Sequence, residues 1–265
     1  MSFADDRGLL LGDGLFETVL AEAGGLVDWT AHMERLERGC AVLGLPAPER
    51  DRCGREAEAA LRDAGLEGTR AAVRLTWTAG GGGRGLDRPE PVRPLLRVSA
   101  SAAPEPEPEP EGAAALMVAS VRRNSGSPTS RLKTVSYLDN VLARAEARAQ
   151  GCDEAVMLNE RGEVACAAAG NLFWIAEGRL FTPALECGVL EGVVRAGVLA
   201  AAAELGVEAV ETRAPLQALE GAEAAFLTNS LVRVRAVRSL GARTFGPSAL
   251  VETLAAAVRS RCTPR

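Results

Sequence analysis

Thirty basic residues stand in this 265-residue chain, and only one of them, Lys133, is a lysine. The excess of alanine, arginine and glycine points to a coding bias that exchanges lysine for arginine wherever charge alone matters. Arginine cannot take that place where a nucleophilic amine is needed, because a guanidinium stays protonated and forms no imine. Lys133 is therefore the first candidate for chemistry, with a chance surface lysine as the alternative. Four residues on is Tyr137, the only tyrosine. A phenol there can hydrogen-bond the ring oxygen of a carbonyl cofactor and tune its imine.

An imine-forming lysine with such a neighbour suits pyridoxal 5′-phosphate (PLP), and PLP also needs a phosphate cup. Gly192-Val193-Val194 opens an expected helix, whose first N–H groups have no partner within the helix and can hold a phosphate. Thr228-Asn229-Ser230 follows an expected strand and offers hydroxyls and amides, or forms an ordinary polar turn. Arg35 can add a charged fork, or be a solvated helix residue. His32, the sole histidine, reads as a hydrogen-bonded structural residue.

The elements that must position these residues are readable in part. Residues 8–27 read as strand, turn, strand, broken at Gly12-Asp13-Gly14, with a hairpin turn at Gly24-Gly25. A helix follows over 30–43, with Thr30 as its N-cap and Leu36, Cys40 and Leu43 on its apolar face, then a helix over 48–64. Strands are expected at 70–78 and 95–101 around the glycine-rich loop 80–85, and at 114–121. The PEPEPEPE run at 104–111 cannot pack a core and reads as a long hairpin loop. The second half carries helices over 139–150 (Asp139 as N-cap), 192–205 and 247–261. Strands fall at 154–159, 163–167, 171–176, 179–182, 207–212 and 224–228. The fold class is α+β in two domains: an N-terminal one over 1–121, a linker at 122–130, and a C-terminal one over 131–265 carrying Lys133.

Composition excludes several classes. Net charge is −5 with no basic tract, so a nucleic-acid partner is not expected. No run of eighteen apolar residues occurs, and MSFADDRG lacks the regions of a signal peptide, so a cytoplasmic protein without a membrane span is expected. The six cysteines (40, 53, 152, 166, 187 and 262) are scattered without a CxxC pair and read mainly as small buried residues. One histidine and no ligand spacing argue against a metal.

Several motifs in order resemble the class-IV aminotransferase family, the fold-type IV PLP enzymes with a D-amino-acid aminotransferase-like fold. They are GDGLFET, HMERL, RLKTVSYLDNVLARAEA, CDEAVML, GNLFW with RLFTP, GVVR, and TNSLVRVRAV, running from residue 6 to about 237. The resemblance implies that Lys133 is the Schiff-base lysine and that Arg35 binds phosphate. It sets Tyr137 near the cofactor ring, Asn171 in the NLF motif, and Val193, Val194 and Ser230 at phosphate positions. Threonine is common in relatives at Val194, so here only its backbone can help. The resemblance further implies a homodimer acting on a small amino-acid-like substrate, with its site between two domains.

One departure stands out. The family's glutamate, five residues before the NLF asparagine, pairs with the pyridine nitrogen; here that position is Cys166. A neutral thiol holds a ring cation less well than a carboxylate, and a thiolate would need its own pKa lowered. Glu163, three residues earlier on the same expected strand, points to the opposite face. Within the family, GDGLFET and the compact length most resemble the 4-amino-4-deoxychorismate lyases, which release 4-aminobenzoate and pyruvate on the folate route. Branched-chain aminotransferases, which commonly carry glycine where Thr18 stands, and D-amino-acid aminotransferases are the alternatives. A PLP-binding relative with reduced turnover is a further one. Arg84, in the glycine-rich loop, is a candidate for the substrate carboxylate, or a solvated loop residue.

Overall fold

The computed structural model describes residues 3–103, 105 and 112–261. Most of the Pro-Glu run and Cys262 lie outside them. The chain divides into two units. Of the described residues, one unit comprises 3–103, 105 and 132–136; the other comprises 112–131 and 137–261. This differs from the division expected from sequence. The strand after the Pro-Glu run belongs to the second unit. Residues 132–136, with Lys133, belong to the first, because their backbone pairs there.

The first unit opens with a short helix, α1 (Arg7–Leu11), where a strand was expected. The Asp6 carboxylate accepts the Gly8 and Leu9 amides at 2.7 and 3.3 Å, and Gly12 closes the turn at φ +69°. That pair of caps overrides the apolar run Leu9–Leu11, whose side chains stay exposed. β1 (Gly14–Glu22) then turns through Ala23 and Gly24, both at positive φ, into β2 (Gly25–Leu26). α2 (Trp29–Leu43) starts at Asp28, not Thr30, and Asp28 gives it no side-chain cap. α3 (Arg50–Asp63), β3 (Ala71–Thr78) and β4 (Leu95–Ala102) complete the unit. The sheet runs β2–β1–β3–β4, antiparallel at each step. One sheet face supplies Leu15, Val19, Val73 and Leu75, packed with Met33, Leu36 and Cys40 of α2 and Cys53 and Ala57 of α3.

In the second unit the elements are β5 (Ala114–Val118), α4 (Leu138–Ala149), β6 (Glu154–Leu158), β7 (Val164–Ala167), β8 (Asn171–Ala176) and β9 (Arg179–Pro183). They continue as α5 (Val193–Glu204), β10 (Ala209–Thr212), α6 (Leu216–Glu220), β11 (Ala224–Asn229), β12 (Arg233–Leu240), β13 (Arg243–Thr244) and α7 (Ala249–Arg261). The sheet order is β10–β9–β8–β11–β12–β5–β6–β7, with β13 beside β12. Phe173 of β8 stacks on Phe226 of β11, ring centroids 4.9 Å apart, in a core shared with Val194 and Val198 of α5 and Leu254 of α7. β12, α6 and β13 were not anticipated from the sequence. α4 starts at Leu138 with Tyr137, not Asp139, in the cap position. Among the described residues no helix is long and apolar enough to cross a membrane.

One buried cation organises the glycine-rich loop of the first unit. Arg7 donates from Nε to Asp13 at 3.0 Å, from Nη1 to the carbonyls of Gly82, Gly85 and Asp87, and from Nη2 to that of Leu86. Arg88 holds both oxygens of Asp13. Removing a buried donor set strands its acceptors without water. Arg7→Met is therefore expected to lose about 2–3 kcal/mol of stability, less than a fully broken buried pair because Arg88 still holds Asp13. Urea denaturation checks the loss, and limited proteolysis should find residues 82–87 newly cleavable.

Candidate active site

Lys133 is held by its backbone. Phe16 N–H donates to the Lys133 carbonyl at 2.8 Å, Val135 N–H donates to the Gly14 carbonyl at 3.0 Å, and Leu15 bridges Thr134. Residues 133–135 thus extend β1 on its free side. Close approach from both sides explains the glycines of the GDG motif: the returning segment crowds Gly12, and β3 crowds Gly14. A Cβ on Gly12 would sit 2.0 Å from Ser136 Oγ, and one on Gly14 would sit 2.7 Å from the Trp77 carbonyl.

The Lys133 amine lies 4.1 Å from the centroid of the Phe16 ring, and Arg74 Cζ lies 3.7 Å from the same centroid. Burial, with the Arg35 and Arg74 cations, lowers the amine against the opposing pull of Glu17, to about 7. Near neutrality a large share of the amine is therefore uncharged, the form that attacks a carbonyl. Between pH 7 and the ordinary lysine range the unfolded chain holds this proton and the folded chain does not. This group's contribution to stability therefore increases with pH across that window.

Behind Phe16, Glu17 is 1% exposed on the core face of β1. Its carboxylate accepts from Arg35 Nε at 2.8 Å, from Arg35 Nη2 at 2.5 Å, and from His32 Nδ1 at 2.7 Å. Burial pushes the carboxyl up, but the Arg35 charge, its hydrogen bonds and His32 outweigh that and leave it at about 2. A carboxylate only accepts, so Nδ1 carries the His32 proton. The structure thus turns two N–H groups of Arg35, the expected phosphate ligand, onto Glu17. Thr18 is half-buried on the Phe16 face, directly opposite Arg74 in register. Arg84 is exposed at the tip of its loop, paired through its backbone with Asp87.

The second unit holds the expected anion-binding groups. Gly192 caps α5 with no side-chain bond, so the first-turn N–H groups face outward from the helix end. Asn171 Nδ2 donates to the Leu190 carbonyl at 2.9 Å, and its Oδ1 would lie 2.1 Å from a Cβ on Gly192. Thr228 pairs with Asn171, and its buried hydroxyl has no hydrogen-bond partner among the described residues. Val194 points into the core with Phe173, leaving only its amide at the helix end, while Val193 and Ser230 are half-buried. The Asn229 side chain shapes the turn instead: Oδ1 accepts from Leu231 and Val232, and Nδ2 donates to Ala169. Tyr137 is half-buried at the start of α4.

Cys166 is buried on β7, and burial raises its thiol, with Arg123 pulling down and Glu154 pushing up. Burial therefore favours the neutral thiol over the thiolate. Glu163 precedes β7 and does not lie on it. Bonds from Arg161, Arg213 and Asn159 hold it at about 2, committed to its own ion pairs. Sequence reading missed Glu17 and Arg74. The signal for Glu17 was a charge on the apolar alternation of Leu15 and Val19; Arg74 alternates with Val73 and Leu75 onto the opposite face.

The first unit thus holds an amine able to form an imine, and the second holds a helix end and an unpartnered hydroxyl able to meet an anion. Residues 14–240 match the amino-transferase class IV family. The aminodeoxychorismate lyase of Bacillus subtilis (strain 168) is 32% identical over 86% of this chain and 78% of its own length. The branched-chain-amino-acid aminotransferase of Pseudomonas aeruginosa PAO1 is 29% identical over 89% of this chain and 78% of its own. A crystal structure from Legionella pneumophila, provisionally named a 4-amino-4-deoxychorismate lyase, superimposes with a TM-score of 0.90 at 27% identity, covering 98% and 95% of the two chains. The chain belongs to the amino-transferase class IV family and is a PLP-dependent enzyme.

The residues present suit that cofactor: a part-neutral amine for its aldehyde, and free helical amides with an orphan hydroxyl for its phosphate. Gly192→Ala would drive a methyl against Asn171 and distort the helix end. It is expected to weaken PLP binding about tenfold or more. Titration of the visible absorbance of the protein with PLP measures this, with circular dichroism confirming the fold.

Proposed function

We propose that this chain is a lyase that converts 4-amino-4-deoxychorismate into 4-aminobenzoate and pyruvate, with Lys133 as the reacting amine. The observation that carries the reading is the Lys133 amine at about 7, sharing the Phe16 ring with the Arg74 guanidinium. The identity to the Bacillus subtilis lyase supports the particular reaction.

When bound, PLP supplies an aldehyde for the substrate amine and a ring that accepts the electrons left at the substrate α-carbon. Lys133 Nζ takes the α-proton as a general base, and an amine titrating near 7 is matched to that task at neutral pH. Arg74, over the edge of the same site, attracts a substrate carboxylate and orients it above Phe16, with Thr18 on the same face. Arg84 is a second candidate for that carboxylate. In the second unit, the amides of Val193 and Val194, with Ser230, would hold phosphate; in the first, Arg35 is the expected charged phosphate ligand. Tyr137 would serve the cofactor ring oxygen, and Cys166 stands at the position from which the family's glutamate would pair with the ring nitrogen. A homodimer in the cytoplasm, working on the folate route, accompanies this reading.

The second reading is an aminotransferase, favoured by the Pseudomonas relative. In it Lys133 returns the proton to the cofactor carbon instead of assisting elimination. A pyruvate-release assay with aminodeoxychorismate, run beside an amino-acid transamination panel, separates the two. Pyruvate release that is lost in Lys133→Ala is expected. Transamination without release would replace the lyase reading, and Lys133→Ala with full activity would remove both.

A neutral thiol gives the ring nitrogen no anion, so electron uptake by the ring is weaker than with a carboxylate. Cys166→Glu is expected to raise the turnover rate several-fold with PLP still bound. An unchanged or lower rate in PLP-loaded protein counts against that role.

A further inference from the structure

The buried cluster of Glu17, His32 and Arg35 sits on a face of β1 that otherwise carries Leu15, Val19 and Ala21. Three charged or polar side chains are costly there unless each is satisfied. Glu17 meets that condition by accepting three hydrogen bonds from two residues of α2, one turn apart. A stable core at this position needs only another aliphatic residue. The cluster therefore calls for a reason beyond packing.

Its neighbour in sequence supplies one. Phe16 takes the Lys133 carbonyl on its N–H and lies beneath the Lys133 amine. Three charges act on that amine from the elements around it: Glu17 from β1, Arg35 from α2 and Arg74 from β3. Two are cations and one is an anion. We propose that Glu17 is a positioning residue for the Lys133 amine: its carboxylate clamps the Arg35 guanidinium and offsets that cation's field where the amine reacts. This rests on Lys133 as the reacting group, and it goes beyond that reading by assigning the charge that keeps the amine usable.

The two-point grip from Nε and Nη2 fixes the plane of the guanidinium, since a bidentate pair leaves little rotation. His32 fills a further acceptor site, so the carboxylate cannot swing away from Arg35. Without the anion, the pull that opposes Arg35 and Arg74 is lost and the protonated form of the amine becomes still less favourable. Without the Arg35 cation, the opposite holds. A purely structural cluster would destabilise the protein in both cases but would not move the amine in opposite directions.

The test is the pH dependence of acetic anhydride labelling at Lys133 in the full chain stripped of cofactor, read by mass spectrometry. The single lysine makes the labelled peptide unambiguous. In the unaltered protein, labelling should be half-maximal near pH 7. Glu17→Gln should move the midpoint down by roughly one unit, and Arg35→Met should move it up. Midpoints that coincide in all folded proteins, or that move the same way in both variants, overturn the proposal. If Glu17→Gln does not fold, the Arg35→Met titration decides alone: an upward shift supports the proposal and no shift overturns it. Borohydride reduction of the PLP-loaded protein reports separately whether Lys133 carries the cofactor, so a failure of that reading is distinguishable.

Discussion

Two backbone hydrogen bonds, Phe16 N–H to the Lys133 carbonyl and Val135 N–H to the Gly14 carbonyl, fix the main chain that carries the Lys133 amine. A lysine on a loop keeps four rotatable bonds and a solvated charge. Here the main chain is stitched to a sheet, the side chain runs over an aromatic ring, and burial disfavours the ammonium form. The entropy of ordering so long a side chain is offset because the backbone under it is already part of a strand. The same return constrains the sequence before it, since only glycine leaves room at position 12 for Ser136; Gly14 answers instead to the Trp77 carbonyl of β3.

Electrostatics then divides the two units. In the first, charge is concentrated: a buried carboxylate, a clamped guanidinium, a second guanidinium on the aromatic face, and the amine between their fields. In the second, buried charge is bound by its own neighbours. At the helix end Val194 gives only its backbone and Arg195 is held by the Pro183 carbonyl and Glu211, while burial favours the neutral thiol of Cys166. Ionised groups of that unit, such as Glu163 with Arg161 and Arg213, are tied up with one another. A phosphate can be held by dipoles, whereas a proton transfer needs groups whose charge states lie close in energy.

Much of this was legible from residue types. One lysine among thirty basic residues singled out Lys133 as the candidate amine, and the order of motifs named the fold. Strands with clear alternation or tight glycine turns, such as β3, β4, β8 and β9, were found close to their true ends. The misses have specific causes. Residues 8–11 look like a strand because three leucines follow a glycine, yet Asp6 and Gly12 cap them as a helix. The unit boundary was misplaced because a backbone that leaves one unit and returns for five residues has no compositional mark. β12 alternates arginine with small apolar residues, a pattern easily read as a charged loop. Glu17 was passed over because a single charge within an apolar strand looks like noise until its partners on α2, fifteen and eighteen residues away, are seen.

The return of residues 132–136 also bears on how the molecule is made. Until that segment leaves the ribosome, Gly14, Leu15 and Phe16 present an unpaired strand edge flanked by apolar side chains, open to any passing β-strand. The first hundred residues therefore emerge as a sheet one partner short, and about thirty more must be synthesised before the gap closes. The stretch that seals this edge is the one bearing Lys133, so the sheet is complete only once that residue has been made.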